Sequence, residues 1–354
     1  MGVDKDRVKA FAEEVFTDMA GAMTAGLGFI GVKTGLFQSM AGKDWMTSEE
    51  VVQESKLQAR YVQEWLRGMV SAGYLEFDPA QQAYRLPEEH AYLLASEGTD
   101  HFMGGLLCFA PVLLRAAPKV AVAFEQGGGV AFEDYGTDGI QALDMINRGQ
   151  YEQRLSPTGW LKSLPDVVQR LEAGGRALDV GCGAGSVVLT LARAFPRATV
   201  VGLEVDRESI EHAKAAAAAA NMGERVRFVA QRTADLEPGE PFDLITVCDC
   251  VHDLAEPIQT LEEIRALLKT DGVLFIVEPK AADRLEDNRG AISTMYYGFS
   301  VFHCMTQSLA NGGPGLGTCM GPGRMEELLG EAGFTQFETL DIRSAVLSFY
   351  AARP

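Results

Sequence analysis

The sequence predicts an α/β fold, in which a doubly wound parallel sheet follows an N-terminal, mostly α-helical domain of winged-helix type. Three observations support this prediction. Between residues 177 and 277, apolar segments that suit strands alternate with amphipathic segments that suit helices, as in a parallel sheet covered on both faces. Residues 60–86 are typical of a helix followed by two short strands around a turn. A chain of 354 residues also exceeds the usual size of one core, so we expect more than one domain.

The composition is that of an ordinary globular protein, with 47% hydrophobic and 23% charged residues. A formal net charge of −18 repels polyanions, so we expect no tight binding to nucleic acid. The six cysteines lack the spacing of a metal site and the density of a disulfide scaffold, which predicts reduced thiols and no metal. Without a secretory pattern or an apolar run of membrane-spanning length, the sequence predicts a soluble, cytoplasmic protein that no membrane anchors.

The N-terminal part predicts the winged-helix domain, which we assign to residues 1–98. Apolar residues at helical spacing indicate two helices between residues 7 and 40. Thr47 and Ser48, followed by two glutamates, predict the start of a short helix, and residues 60–71 predict a further helix with an apolar inner face. Gly73 ends that helix, and residues 74–86 predict the strand, turn and strand of the wing.

The remainder predicts a helical connector, residues 99–173, and an α/β domain, residues 174–354. The expected strands are 177–180, 199–204, 226–230, 242–248 and 272–277, and the expected helices are 185–195, 207–220 and 257–269. A glycine-rich and aromatic insertion at 279–322 is a natural lid. It precedes a last helix at 323–332 and an antiparallel strand pair at 334–352.

A glycine-rich turn closes the first strand of the α/β domain, at the edge where open parallel sheets bind ligands. Gly181, Gly183 and Gly185 let the backbone approach a ligand, and the helix that follows offers free N–H groups to an anion such as a carboxylate. The spacing G-x-G-x-G differs from the G-x-G-x-x-G of dinucleotide folds. Asp179 precedes the first glycine and suits a ligand ammonium, so the turn favours an amino-acid moiety over a pyrophosphate. Glu204 closes the second strand, where an acidic side chain can bind two ribose hydroxyls.

With these two motifs, residues 175–280 resemble the class I methyltransferase fold, whose sheet is Rossmann-like. The resemblance implies S-adenosyl-L-methionine as the cofactor, with Asp249 at the end of the fourth strand as a further contact. Such families often hold adenine with an Asp-Ala pair after the third strand, and here Arg232 stands in place of that aspartate. Asp235 is the substitute candidate, and a solvated surface aspartate is the alternative.

The loop after the fourth strand carries His252, whose ordinary pKa near 6.5 suits a general base. This stretch resembles the plant and bacterial small-molecule O-methyltransferases, which carry their catalytic base in a Leu-His-Asp-Trp motif. The resemblance implies that His252 is the base and that Glu278, at the end of the next strand, orients it. A second family glutamate is absent, because Cys319 stands in its place. A packing or capping histidine is the alternative.

The insertion resembles a segment of bacterial winged-helix methyltransferases, some of which are labelled transcriptional regulators. Aromatic, histidine and methionine side chains of the insertion and the connector are candidates for lining the pocket of a small-molecule acceptor: Tyr151, Tyr296, Tyr297, Phe299, His303 and Met305. In the resembling families the N-terminal domain dimerises, so we expect a homodimer through the apolar helices of residues 8–40.

Two alternative functions stay open. A thioether acceptor loses no proton when it attacks a sulfonium, so His252 would only position it. The bacterial S-methyltransferases that make dimethylsulfoniopropionate precursors resemble this architecture. The other alternative is a cofactor-sensing DNA-binding regulator, but Arg60 and Arg67 are opposed by Glu64 and form a poor phosphate-binding face.

Overall fold

A computed structural model describes residues 2–236 and 239–354. Contacts divide the chain into two compact units, Met1–Val112 and Leu113–Pro354. The first unit begins with α1 Lys5–Lys33, α2 Leu36–Met40, β1 Met46–Thr47, α3 Ser48–Ser55 and α4 Ala59–Ser71. It continues with β2 Glu76–Asp78, β3 Ala83–Arg85 and α5 Glu88–Leu94, and α6 Gly104–Gln126 follows. The boundary at residue 112 places most of the predicted connector, residues 99–173, in the same unit as the large sheet.

The first unit has the predicted helical and winged pattern. Thr47 and Glu50 form a capping box at the start of α3, as their spacing predicts. The inner face of α4 is buried and includes Trp65, whose indole N–H donates to the carbonyl oxygen of Leu27 at 2.8 Å. The strands β2 and β3 pair antiparallel, and β1 joins β3 as a third strand.

Two helices cover residues 7–40, as predicted, but they differ greatly in length. The first, α1, has 29 residues, and the short α2 follows it. The helix ends before Gly35, which has a φ of +73°, because a left-handed residue cannot continue it. By length and composition, α1 and α6 are both long and apolar enough to cross a membrane, a test that core helices of soluble proteins also pass.

The second unit contains the predicted sheet. After α7 Gly136–Arg154 and α8 Pro165–Glu172 come β4 Arg176–Val180, α9 Ser186–Ala194, β5 Thr199–Glu204, α10 Arg207–Ala219, β6 Val226–Ala230, β7 Phe242–Cys248, α11 Pro257–Leu267 and β8 Leu268–Pro279. The chain then forms α12 Ala291–Phe299, a π-helical turn Ser300–Cys304, α13 Met305–Ala310, α14 Pro322–Glu331, β9 Gln336–Thr339 and β10 Leu347–Arg353.

The strand order of the large sheet is β6-β5-β4-β7-β8-β10-β9. The first five strands are parallel, and β10 is antiparallel to β8 and β9, which confirms the predicted C-terminal pair. Every residue of β7 is buried because core clusters cover both faces of the sheet. The order reverses at β4 and β7, so the carboxyl ends of these two strands form the switch point where such sheets bind ligands.

Candidate active site

The glycine-rich turn joins β4 to α9 at the carboxyl edge of the sheet. Gly181, Gly183 and Gly185 have φ angles of +72°, +47° and +89°, a region that side chains disfavour. A Cβ atom on Gly181 would lie 2.5 Å from the Sγ atom of Cys250, so this position requires glycine. Gly185 is the N-cap of α9 and provides no side-chain cap, which leaves the first turn of that helix open to a ligand.

Glu204 ends β5 and folds back onto this turn. Its Oε2 atom accepts the N–H of Gly183 at 3.1 Å, and its Oε1 atom accepts those of Val205 at 2.7 Å and Asp206 at 3.1 Å. Burial raises the pKa of Glu204, although these hydrogen bonds act in the opposite direction. The carboxylate is therefore fixed by the backbone and retains acceptor capacity for ligand hydroxyls.

Asp179 lies next to it, at the end of β4, with 1% of its surface exposed. The hydroxyl of Thr246 donates to its Oδ1 atom at 2.6 Å. Burial raises the pKa of Asp179 to about 8, and the nearby charge of Glu204 adds to the effect. Among the residues that the structure describes, no cation forms an ion pair with Asp179, so the ammonium of a ligand would stabilise its ionised form.

The structure brings His252 and Glu278 together, as predicted. The Nδ1 atom of His252 lies 2.5 Å from the Oε2 atom of Glu278, and both residues are buried. The other carboxylate oxygen accepts the N–H of Val251 at 2.9 Å. Burial alone lowers the pKa of His252, but the charge of Glu278 and the neighbouring Cys304 thiol raise it well above the usual value. Glu278 thus fixes Nδ1 as the donor and leaves Nε2 as the basic nitrogen.

Asp249 follows β7 directly and has a φ of +56°, an uncommon conformation for a residue with a side chain. The side-chain amide of Asn147 donates to its Oδ2 atom at 3.1 Å, and burial raises its pKa. Strained residues of this kind persist where the surrounding structure holds them, often at functional sites. The second carboxylate oxygen of Asp249 keeps acceptor capacity for a ligand.

The predicted lid insertion contains α12, the π-helical turn and α13. Turns of π type are frequent at functional sites, and this one contains His303 and Cys304. His303 is buried, and its ring centroid lies 4.7 Å from that of Tyr135. Burial lowers the pKa of His303 to about 3, so this ring is neutral at physiological pH.

The other acceptor-pocket candidates differ in exposure. The hydroxyl of Tyr296 donates to the carbonyl oxygen of Val346 at 2.5 Å, whereas Tyr297 is 39% exposed. Tyr151 is buried, and burial together with the neighbouring Cys248 and Asp249 raises its pKa well above the usual value. Phe299, whose ring centroid lies 6.4 Å from that of Tyr296, and Met305 are partly buried. All six residues stay candidates.

Asp235 lies apart from the buried acids, with a side-chain exposure of 59%. Its carboxylate is 3.9 Å from the guanidinium of Arg232, which also binds Glu256 at 3.3 Å. This exposure favours the alternative of a solvated surface aspartate, and an adenine contact at Asp235 stays a prediction.

Sequence patterns did not predict three of the polar residues around the site. Asn147 is an ordinary helical residue of the connector, and its contact with Asp249 spans 102 positions. Gln307 of α13 donates to Asp253 at 2.6 Å. Cys304 lies beside His252, but the sequence gives no signal for this contact, because it depends on the register of the π-helical turn.

Two family descriptions match the chain. Residues 171–322 match the methyltransferase domain, and residues 22–96 match the Rv2258c-like winged HTH domain. The first match covers the glycine-rich turn, the parallel strands and the insertion, and the second covers the capping box and the wing. The predicted combination of a methyltransferase sheet and an N-terminal winged-helix domain is thereby confirmed.

Curated relatives match only part of the chain. The ubiquinone biosynthesis O-methyltransferase of Actinobacillus pleuropneumoniae is 36% identical over 108 residues, which are 29% of this chain and 44% of that relative. The protein of the same name from Neisseria meningitidis serogroup A is 33% identical over 104 residues, which are 29% of this chain and 43% of that relative. The chain therefore spans less than half the length of these relatives.

Solved structures match over nearly the whole chain. A protein from Nostoc punctiforme, provisionally described as an O-methyltransferase, has a TM-score of 0.74 at 16% identity and covers 97% of this chain and 98% of its own. Human N-acetylserotonin methyltransferase, solved with S-adenosylmethionine, has a TM-score of 0.67 at 21% identity. That match covers 100% of this chain and 99% of the human chain. At these identities the likeness establishes the fold.

The buried state of Asp179 predicts that Asp179→Asn stabilises the ligand-free protein at pH 8 by at least about 1 kcal/mol. The folded-state pKa of about 8 lies above the ordinary value of 3.8, so ionisation of Asp179 opposes folding increasingly as pH rises between these values. The gain should therefore be larger at pH 8 than at pH 5. Urea denaturation at both pH values measures it, with the exposed Asp341→Asn as the control. An equal gain at the two pH values would contradict the assignment.

Proposed function

We propose, from the methyltransferase domain that residues 171–322 form, that this chain is an S-adenosylmethionine-dependent methyltransferase that acts on a hydroxyl group of a small molecule. One arrangement carries the proposal. The buried Asp179 and the half-buried Glu204 flank the glycine turn, in which Gly181 leaves no space for a side chain. His252 and Glu278 form a pair at the carboxyl ends of the next two strands, β7 and β8. A donor site and a basic nitrogen thus share one edge of the sheet.

The residues of the turn fit the proposed cofactor. Asp179 offers a buried carboxylate to the ammonium, the open first turn of α9 offers N–H groups to the carboxylate, and Glu204 offers oxygen atoms to the ribose. S-adenosylmethionine supplies an electrophilic methyl group when it is bound. The absence of a side chain at Gly181 leaves room for the backbone to approach it.

His252 would remove the acceptor proton. Glu278 holds the hydrogen on Nδ1, so Nε2 can accept the proton of a hydroxyl as the oxygen attacks in line. The charge of Glu278 then stabilises the imidazolium that forms. The thiol of Cys304 lies beside His252 in the ligand-free protein, so an acceptor hydroxyl would take its position.

The insertion and the connector would form the acceptor pocket, with Tyr151, Tyr296 and His303 as its buried members. A neutral His303 next to aromatic rings suits an apolar or aromatic acceptor better than an anionic one. We also propose a cytoplasmic location, which the six free cysteines support.

The cofactor assignment predicts the outcome of titration calorimetry on the purified chain. S-adenosylmethionine and S-adenosylhomocysteine should both bind, whereas a nicotinamide dinucleotide should not. Asp179→Asn should weaken the binding of both ligands by about tenfold, because it removes one charge-assisted hydrogen bond. The exposed Asp341→Asn should leave both affinities unchanged. Binding of the dinucleotide alone would overturn the proposal.

The general-base assignment predicts that His252→Ala lowers turnover by about 10²-fold or more. The acceptor is first identified by incubating the protein with labelled S-adenosylmethionine and the small molecules of a cell extract. Turnover of the unmodified protein should rise with pH through the raised pKa of His252, since only the neutral ring accepts a proton. His212→Ala, on exposed α10, is the control. Retained turnover in His252→Ala would favour a thioether acceptor.

We further propose a homodimer through α1. This helix exposes one apolar stripe at helical spacing, with relative exposures above half for Val8, Phe11, Val15, Met19 and Met23. An exposed stripe of this kind suits a second copy of the same helix. A DNA-binding role has less support, because Arg60 on α4 pairs with Glu64.

Light scattering at micromolar concentration should give the mass of a dimer. Val15→Asp together with Met19→Asp should convert it to a monomer, because buried charges without partners oppose association. Tyr61→Asp removes an aromatic side chain of α4 that is even more exposed, and it should leave the dimer intact. A monomeric unmodified protein would refute this proposal.

A further inference from the structure

The carboxyl edge of the sheet contains more acidic residues than the proposed cofactor contacts and the orientation of His252 require. Five acidic residues end strands or follow them there, of which Asp179 and Glu278 are buried and the others are half-buried: Asp179, Glu204, Asp249, Asp253 and Glu278. In the part of the chain that the structure describes, their only ion pair is that between Glu278 and His252. Ionising these carboxyl groups together is unfavourable, and a cationic ligand bound at this edge would stabilise their ionised forms.

Asp249 is the member of this group without a partner in the proposed chemistry. Asp179 and Glu204 suit the ammonium and the ribose, and Glu278 orients the base. Asp253 receives the side-chain amide of Gln307. Asp249 instead adopts a left-handed backbone conformation, which Asn147 and the hydrogen bond from its own N–H to the carbonyl oxygen of Val277 at 2.7 Å hold in place.

The sheet order fixes where this carboxylate lies. β7 stands between β4, which ends at the cofactor turn, and β8, which ends at Glu278. Asp249 follows β7 directly, so it lies between the cofactor turn and the base. A methyl group that passes from the cofactor to an acceptor beside His252 must be located between these two points. Asp249, at the end of β7, would therefore be the acid nearest to the positive charge of a bound donor.

We infer that Asp249 makes the site selective for the positively charged sulfonium donor over its neutral thioether product. This inference rests on the proposed methyltransferase function. Methyl transfer leaves the bond electrons on sulfur, so the product lacks the charge that Asp249 attracts, while the ammonium and ribose contacts stay the same. The carboxylate thus favours the donor before transfer and weakens the hold on the product afterwards.

Titration calorimetry with three probes tests this selectivity without an acceptor. The probes are S-adenosylmethionine, S-adenosylhomocysteine and sinefungin, in which a protonated amine replaces the methyl sulfonium. The unmodified protein should bind both cationic probes several-fold more tightly than S-adenosylhomocysteine. Asp249→Asn, which keeps the shape and the contact with Asn147, should weaken the cationic probes about tenfold and S-adenosylhomocysteine less than twofold. Glu262→Gln removes an equal charge from the exposed face of α11 and should change none of the three.

The outcomes separate the inference from the function on which it rests. If none of the probes binds the unmodified protein, the methyltransferase proposal fails. If all three bind equally well, or if Asp249→Asn weakens them equally, the proposal stands and the role of Asp249 is overturned. The affinity ratio of the unmodified protein decides the question even if Asp249→Asn does not fold.

Discussion

Asp179 and Glu204 end adjacent parallel strands, and both carboxylates are kept from water where the turn of Gly181 and Gly183 crosses between them. Burying an ionised acid without a cation opposes folding, and the raised pKa of Asp179 reflects how unfavourable its ionisation is in the folded protein. The local backbone offsets part of it for Glu204, which accepts three N–H groups, whereas among the described residues Asp179 receives only the hydroxyl of Thr246. The ligand-free fold thus retains a carboxyl group that is unfavourable to ionise, and a cationic ligand would stabilise its ionised form.

The topology that brings the acidic residues to one edge also brings His252 and Glu278 together. His252 and Glu278 are separated by 26 positions in sequence, yet β7 and β8 are neighbours, so a loop after one strand meets the end of the other. Parallel strands bring all their carboxyl ends to one edge, and the cofactor turn lies on the opposite side of β7. The strand order alone therefore places the proposed donor site close to the proposed base.

This dependence on strand order explains how much the sequence could predict. The turn, its two acids and the pair of His252 and Glu278 are each fixed by a local pattern and by the order of the parallel strands. Asn147 could not be predicted, because its contact depends on how a connector helix packs against a loop 102 positions away. The exposure of Asp235 also escapes a sequence pattern, since a three-residue turn can face either way.

The loop that carries His252 has one orienting carboxylate, and the insertion compensates for the missing second one. Cys319 stands in the place of the second glutamate, and a thiol that burial keeps protonated cannot hold the ring by charge. Instead, the carbonyl oxygen of His252 accepts the N–H of Gly317 at 3.0 Å, and a Cβ atom on Gly317 would collide with the side chain of Ser300 in the π-helical turn. The backbone of the base, the glycine loop and the π-helical turn therefore fix one another. Because the same turn contains His303 and Cys304, the proposed acceptor pocket and the proposed base share one segment, and we expect substitutions that reshape the pocket to shift His252 as well.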